Sequence, residues 1–180
     1  MRLATLVFRR GWTGEKTMTR RMVCLLVMAA LLPCLASAPA SALALGIKVT
    51  GAGTGVYPPN TLYNGVRVSG LQIGFGIRVP GNGTARGQLQ VTLIGTSPLG
   101  MEQDIDVVGQ AASGSATAGS TSTFSGLSAV DLSNGTPPLV NVPFTVTIVR
   151  NPNGQGTVRL VLGAVTLPVA TLNAGSIIIR

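Results

Sequence analysis

The side chains able to do chemistry in this 180-residue sequence are few and fall in short stretches. Glu102, Asp104 and Asp106 alternate with other residues. On a strand, alternate side chains project to one side, so this spacing predicts a small carboxylate patch. Clustered carboxylate oxygens suit calcium, which makes Glu102, Asp104 and Asp106 candidate metal ligands. Two carboxylates are also what a glycosidase requires. The competing expectation is a solvated strand face, with Ile105 and Val107 turned inward. Tyr57 and Tyr63 flank Pro58-Pro59. Exposed aromatic rings can stack on sugars, so both are candidate ligand-binding residues; as a pair in one loop they could equally pack as a lid. Arg67, Arg78, Arg86, Arg150 and Arg159 lie on or beside apolar alternating segments. Converged, they would grip an acidic polymer or lipid headgroups; scattered, they are simply solvated.

Composition removes most other chemistry. The chain has no histidine, hence neither the commonest metal ligand nor the commonest general base. Zinc sites of the usual type, Ser-His-Asp triads and Cys-His dyads are excluded. No catalytic residue and no cofactor are expected, and the chain reads as a non-enzyme.

The two cysteines, Cys24 and Cys34, lie in a stretch with the anatomy of a secretory signal peptide. Arg20 and Arg21 open it, Met22 to Ala36 are nearly all apolar, and Ala40-Ser41-Ala42 offers a small-x-small exit. The apolar run is shorter than the roughly 20 residues a spanning helix needs. A retained anchor is the lesser alternative. Residues 1–42 are thus expected to be an N-terminal extension plus signal, and residues 43–180 a single domain without a transmembrane helix. That domain has no cysteine, so no disulfide can staple it. Seven basic residues stand against four acidic ones there, a balance of +3. This is too small and dispersed for a nucleic-acid partner.

The elements that must position the candidates read as strands. Val, Ile, Leu and Thr dominate from Leu45 onward, and no long apolar pattern has helical spacing. Gly87 to Ile94, Asn141 to Arg150 and Thr157 to Leu162 alternate clearly. Val66 to Val79 predicts one bent strand or two short ones. Asn64-Gly65, Asn82-Gly83, Asn134-Gly135 and Asn153-Gly154 are hairpin signals. Asn82-Gly83-Thr84 and Asn134-Gly135-Thr136 also match the glycosylation acceptor, but their turn role already accounts for them. Ala111 to Ser122, small and polar, reads as a loop. Val165 to Leu172, with Pro168, and Ser176 to Ile179 read as two final short strands. About eight or nine strands without helices predict an all-β domain: an antiparallel β-sandwich or a small β-barrel.

The order Gly51-Ala52-Gly53-Thr54-Gly55, Phe75-Gly76-Ile77, Gly87-Gln88-Leu89-Gln90, Phe124-Ser125-Gly126, Phe144 to Ile148, Val158-Arg159-Leu160 and Ala174 to Ile179 resembles the post-COAP-type β domain of secreted bacterial proteins. The resemblance covers about residues 49–180. It implies an exported all-β fold with no established activity and no catalytic residues. That family usually carries acids in its last hairpin, where this chain has Asn151-Pro152-Asn153 and Thr157; any ion site built on those acids is missing here. The expected role is therefore a secreted or envelope-bound domain of structural or interaction type, contacting an envelope polymer or another protein through Val56–Asn64 and Gly109–Ser122. The alternative is a carbohydrate- or ligand-binding module using the Tyr57/Tyr63 loop.

Overall fold

A computed structural model describes residues 46–153 and 155–180. The expected leader, residues 1–42, lies outside the described residues. The described residues lie within one compact unit. Its described part contains ten strands and no helix: β1 Ile47–Val56, β2 Leu62–Tyr63, β3 Val66–Val79, β4 Thr84–Thr96, β5 Ile105–Thr117, β6 Thr121–Asp131, β7 Leu139–Arg150, β8 Gly156–Leu162, β9 Val165–Thr166 and β10 Ala170–Ile179.

All ten belong to one antiparallel sheet. Its path runs β1-β10-β8-β7-β6-β5-β4-β3, and β1 also pairs with β3. The hydrogen bonding therefore returns to its starting strand and closes a ring. A sandwich would require two separately bonded sheets; the register gives one. The weakest seam lies between β8 and β10, which share only Ala170↔Val158 and Thr171↔Thr157. Beyond it the β5–β6 tip covers β10, with Gly119 N–H donating to Ile179 O at 2.9 Å.

The core sits inside the ring. Period-2 alternation turns Leu71, Ile73, Phe75, Ile77 and Val79 of β3 inward, together with Leu89, Val91 and Leu93 of β4. Three phenylalanines meet across the interior. Phe75 and Phe124 lie 6.1 Å apart between ring centres, and Phe124 and Phe144 lie 6.4 Å apart, edge to face. Glycines make room for these rings. A Cβ on Gly51 would stand 2.5 Å from Phe75 Cζ, and one on Gly109 would stand 2.6 Å from Phe144 Cε1. Apolar-in, polar-out is the inverse of the pattern of a porin-like membrane barrel. No helix among the described residues is long and apolar enough to cross a membrane.

Three local expectations change. Ala111 to Ser122 is not a loop: β5 runs to Thr117 and β6 begins at Thr121, with a tight turn between them. Alanines, serines and glycines give no apolar alternation, so periodicity could not report a strand whose stability comes from its two neighbours. The end of the chain also regroups. Val165–Thr166 is the short β9, and Ala170 continues unbroken through Ile179. Val66 to Val79 is one strand, and its Gly74 and Gly76 face open space. Finally, positive φ at both residues of an Asn-Gly pair occurs at Asn64-Gly65 but not at Asn82-Gly83 or Asn134-Gly135. In those two turns the asparagine Oδ1 accepts from the threonine N–H and hydroxyl two residues on.

Candidate functional site

Both tyrosines are core residues. Tyr57 and Tyr63 are each 6% exposed, so neither offers a face for a sugar to stack on. Two hydrogen bonds hold the loop: the Thr61 hydroxyl donates to Pro58 O at 2.8 Å, and Tyr57 N–H donates to Ser69 O at 3.0 Å, while both tyrosine rings join the core cluster. The Tyr57 hydroxyl is buried without a hydrogen-bond partner. Burial raises its ionisation well above the ordinary tyrosine value and raises that of Tyr63 in the same direction. The expectation of a Tyr57/Tyr63 contact loop is thus corrected: both rings pack into the apolar core.

The acidic stretch also reorganises. β5 begins at Ile105, so Glu102 and Asp104 precede the strand and only Asp106 lies on it. Glu102 forms a bridge opposite Thr96. Asp104 Oδ1 accepts from Gly95 N–H at 3.2 Å. Asp106 Oδ1 accepts from the Thr92 hydroxyl at 2.6 Å. Strand register places Asp131 opposite Asp106, and Asp131 Oδ1 accepts from Ser133 N–H at 2.9 Å. Among the described residues no three acids gather as a metal site requires. Glu102, Asp104 and Asp106 therefore do not converge on an ion as their spacing suggested. Ile105 and Val107 do turn fully inward.

The side chains that do converge are cations. In β1–β3 register Lys48 faces Arg78, and in β3–β4 register Arg78 faces Arg86. Cross-strand partners share a face, and all three are exposed. Lys48 also exchanges backbone hydrogen bonds with Arg180, which places that residue at the head of the row. Neighbouring strands lie about 4.8 Å apart, so the Lys48–Arg86 span is roughly 10 Å at the backbone. A bulge between Thr84 and Gly87 sets Arg86 in place. Gly87 has φ 145° there, and a Cβ at that position would collide with the Gly76 carbonyl. Arg67 and Arg159 lie elsewhere, opposite Thr96 and Thr147.

A shallow trough leads away from this row along the outer face. Its successive rungs are Thr50–Gly76–Gln88, Ala52–Gly74–Gln90 and Thr54–Gln72–Thr92. The portion beside the cations measures about 480 Å³ and the portion beyond it about 550 Å³. Its floor is low because Gly74 and Gly76 carry no side chain and nothing lies within 4 Å of where a Cβ would stand. Amides and hydroxyls line it, so it can exchange hydrogen bonds but holds no nucleophile–base pair. Sequence reasoning named Arg78 and Arg86 without joining them to Lys48. Only the register shows that residues 48, 78 and 86 are neighbours.

No protein-family model matches the chain, and neither a curated protein nor a solved structure is significantly similar to it.

Proposed function

We propose that this protein is an exported, non-catalytic β domain of interaction type, working at the cell envelope or outside the cell. The observation that carries this reading is the filled interior: apolar side chains occupy the ring, and the charged groups stand outside it. A closed ring packed in this way is a rigid platform, and the trough of β1, β3 and β4 is an extended polar surface on it. The leader-like Arg20 to Ala42 segment supports export. The resemblance to secreted post-COAP-type domains points the same way.

The contact surface differs from the one the sequence suggested. Val56–Asn64 is held by its buried tyrosines, and Gly109–Ser122 is mostly strand. Export is tested by expressing the full chain in a bacterial host with fractionation and intact-mass analysis. Recovery outside the cytoplasm, with a mass matching residues 43–180 or a cut close by, is expected. Full-length protein confined to the cytoplasm overturns the reading.

A further inference from the structure

Three cations that face one another across adjacent strands carry an electrostatic cost. Like charges directly opposite in a sheet are destabilising. A strand surface that only needed solubility could alternate signs. Here the domain's four acids, Glu102, Asp104, Asp106 and Asp131, stand with the far ends of β4 and β6. Arg86 and Thr92, the partner of Asp106, are six residues apart on β4, about 20 Å of extended chain. At surface exposure that exceeds the Debye length of about 8 Å at physiological salt. The row is therefore not neutralised from within the described domain. An anion from outside would relieve the repulsion.

We infer that the Lys48–Arg78–Arg86 row docks a linear anionic polysaccharide, an inference that rests on reading the domain as an exported interaction module. Three features select this partner. The cations form a line rather than a cluster, with a step of one strand spacing, which suits acid groups repeated along a chain. The floor beside them is Thr50, Gly76 and Gln88, which can hydrogen-bond sugar hydroxyls and leaves room for a ring. No exposed aromatic ring flanks the row, and the exposed aliphatic beside it, Ile178 opposite Thr50, is a single side chain, less than the apolar face that interfacial lipid binding uses. The chain would lie across the strands, along the row. Turned along the trough, it would run toward Asp106 and be repelled.

The test compares the full chain with its K48Q/R78Q/R86Q variant by titration with polygalacturonate, neutral dextran and vesicles of mixed phosphatidylglycerol and phosphatidylcholine. The leader's cations are common to both proteins, so the difference reads the row. Expected is polygalacturonate binding that weakens with salt and falls at least tenfold in the triple variant. Dextran should not bind, and K48R/R78K/R86K should retain affinity. R67Q/R159Q, which removes two cations outside the row, should bind as the parent does. Equal affinity of parent and triple variant overturns the inference, as does an R67Q/R159Q loss as large as the triple variant's. Preferential binding to the anionic vesicles overturns the polysaccharide as partner. A melting temperature of the triple variant at or above the parent's shows that lost binding is not lost folding; if it melts lower, the K48R/R78K/R86K titration decides, retained affinity supporting the row and parallel loss overturning it. Export with no polyanion binding defeats this inference and leaves the interaction reading standing; cytoplasmic retention defeats the latter on its own.

Discussion

Two regions of the sheet, the β3–β4 seam and the β5–β6 seam, use the same device for different purposes. At the first Arg78 faces Arg86; at the second Asp106 faces Asp131. Each is a like-charge pair across neighbouring strands. The acids are engaged: Asp106 accepts from Thr92, Asp131 from Ser133 N–H, and Asp104 from Gly95 N–H. Charge-assisted hydrogen bonds of this kind tie down turns and strand ends. The cations of the row make no side-chain hydrogen bond to protein among the described residues. The difference teaches that carboxylates here serve the fold, whereas the row's charge is left available. Arg150 is different again, with its Nε buried and unpaired.

The largest expected effect comes from disturbing the strand that carries Lys48 while sparing the acidic seam. Gly51 pairs with Phe75, and any Cβ on it meets both that ring and the Ser176 carbonyl at 2.9 Å. Gly51→Ala should cost about 1–3 kcal/mol by overpacking. It should also weaken polyanion binding, because β1 shifts against β3. Chemical denaturation and the same titration check this; unchanged stability would mean the ring closes more loosely around Phe75 than the geometry implies.

A smaller effect is expected from Tyr57, whose loop joins β1 to the acidic side. Its hydroxyl has no partner, and leaving a buried polar group unsatisfied costs about 1–3 kcal/mol. Tyr57→Phe should therefore stabilise the domain and leave the row's binding unchanged. A pH effect accompanies it. Because burial raises the folded-state value above the ordinary one of about 10, the native state holds its proton more tightly than the unfolded chain. That contribution is fully present below pH about 10 and is lost as pH climbs above it. Melts from pH 8 to 11 should show a steeper alkaline loss in the parent than in the Phe variant.

The smallest effect sharpens the comparison most directly. Asp131→Asn keeps the side-chain acceptor for Ser133 N–H and removes the repulsion with Asp106. A gain of about 0.2–1 kcal/mol is expected. Its low-salt melt should rise more than its high-salt melt, since screening already weakens exposed repulsion. A drop at low salt would show that the Asp131 charge is needed by the turn.

Strand content was legible wherever apolar residues alternated. Val142 to Ile148 and Val158 to Leu162 announce themselves because the buried face is made of large side chains. The Ala111 to Ser122 hairpin was illegible because its small, mostly exposed side chains give no apolar alternation and the strands are held by backbone pairing. The tyrosine loop misled for a related reason: a tyrosine beside Pro-Pro carries no local mark of which way its ring turns. The acids misled because alternation predicts a shared face only if all three lie on the strand, and β5 starts too late for Glu102 and Asp104.

By itself, the amino-acid sequence determined the period of two, the absence of histidine and the absence of cysteine beyond Cys34, and therefore an all-β body that no disulfide staples. Those are properties of each segment taken alone. Ring closure and the cationic row were decided only by tertiary structure, since they depend on which strands lie side by side and in what register. Lys48 and Arg78 are thirty residues apart in the chain and opposite each other in the sheet. A one-residue slip would turn either to the other face, and no local pattern around either residue encodes that partner.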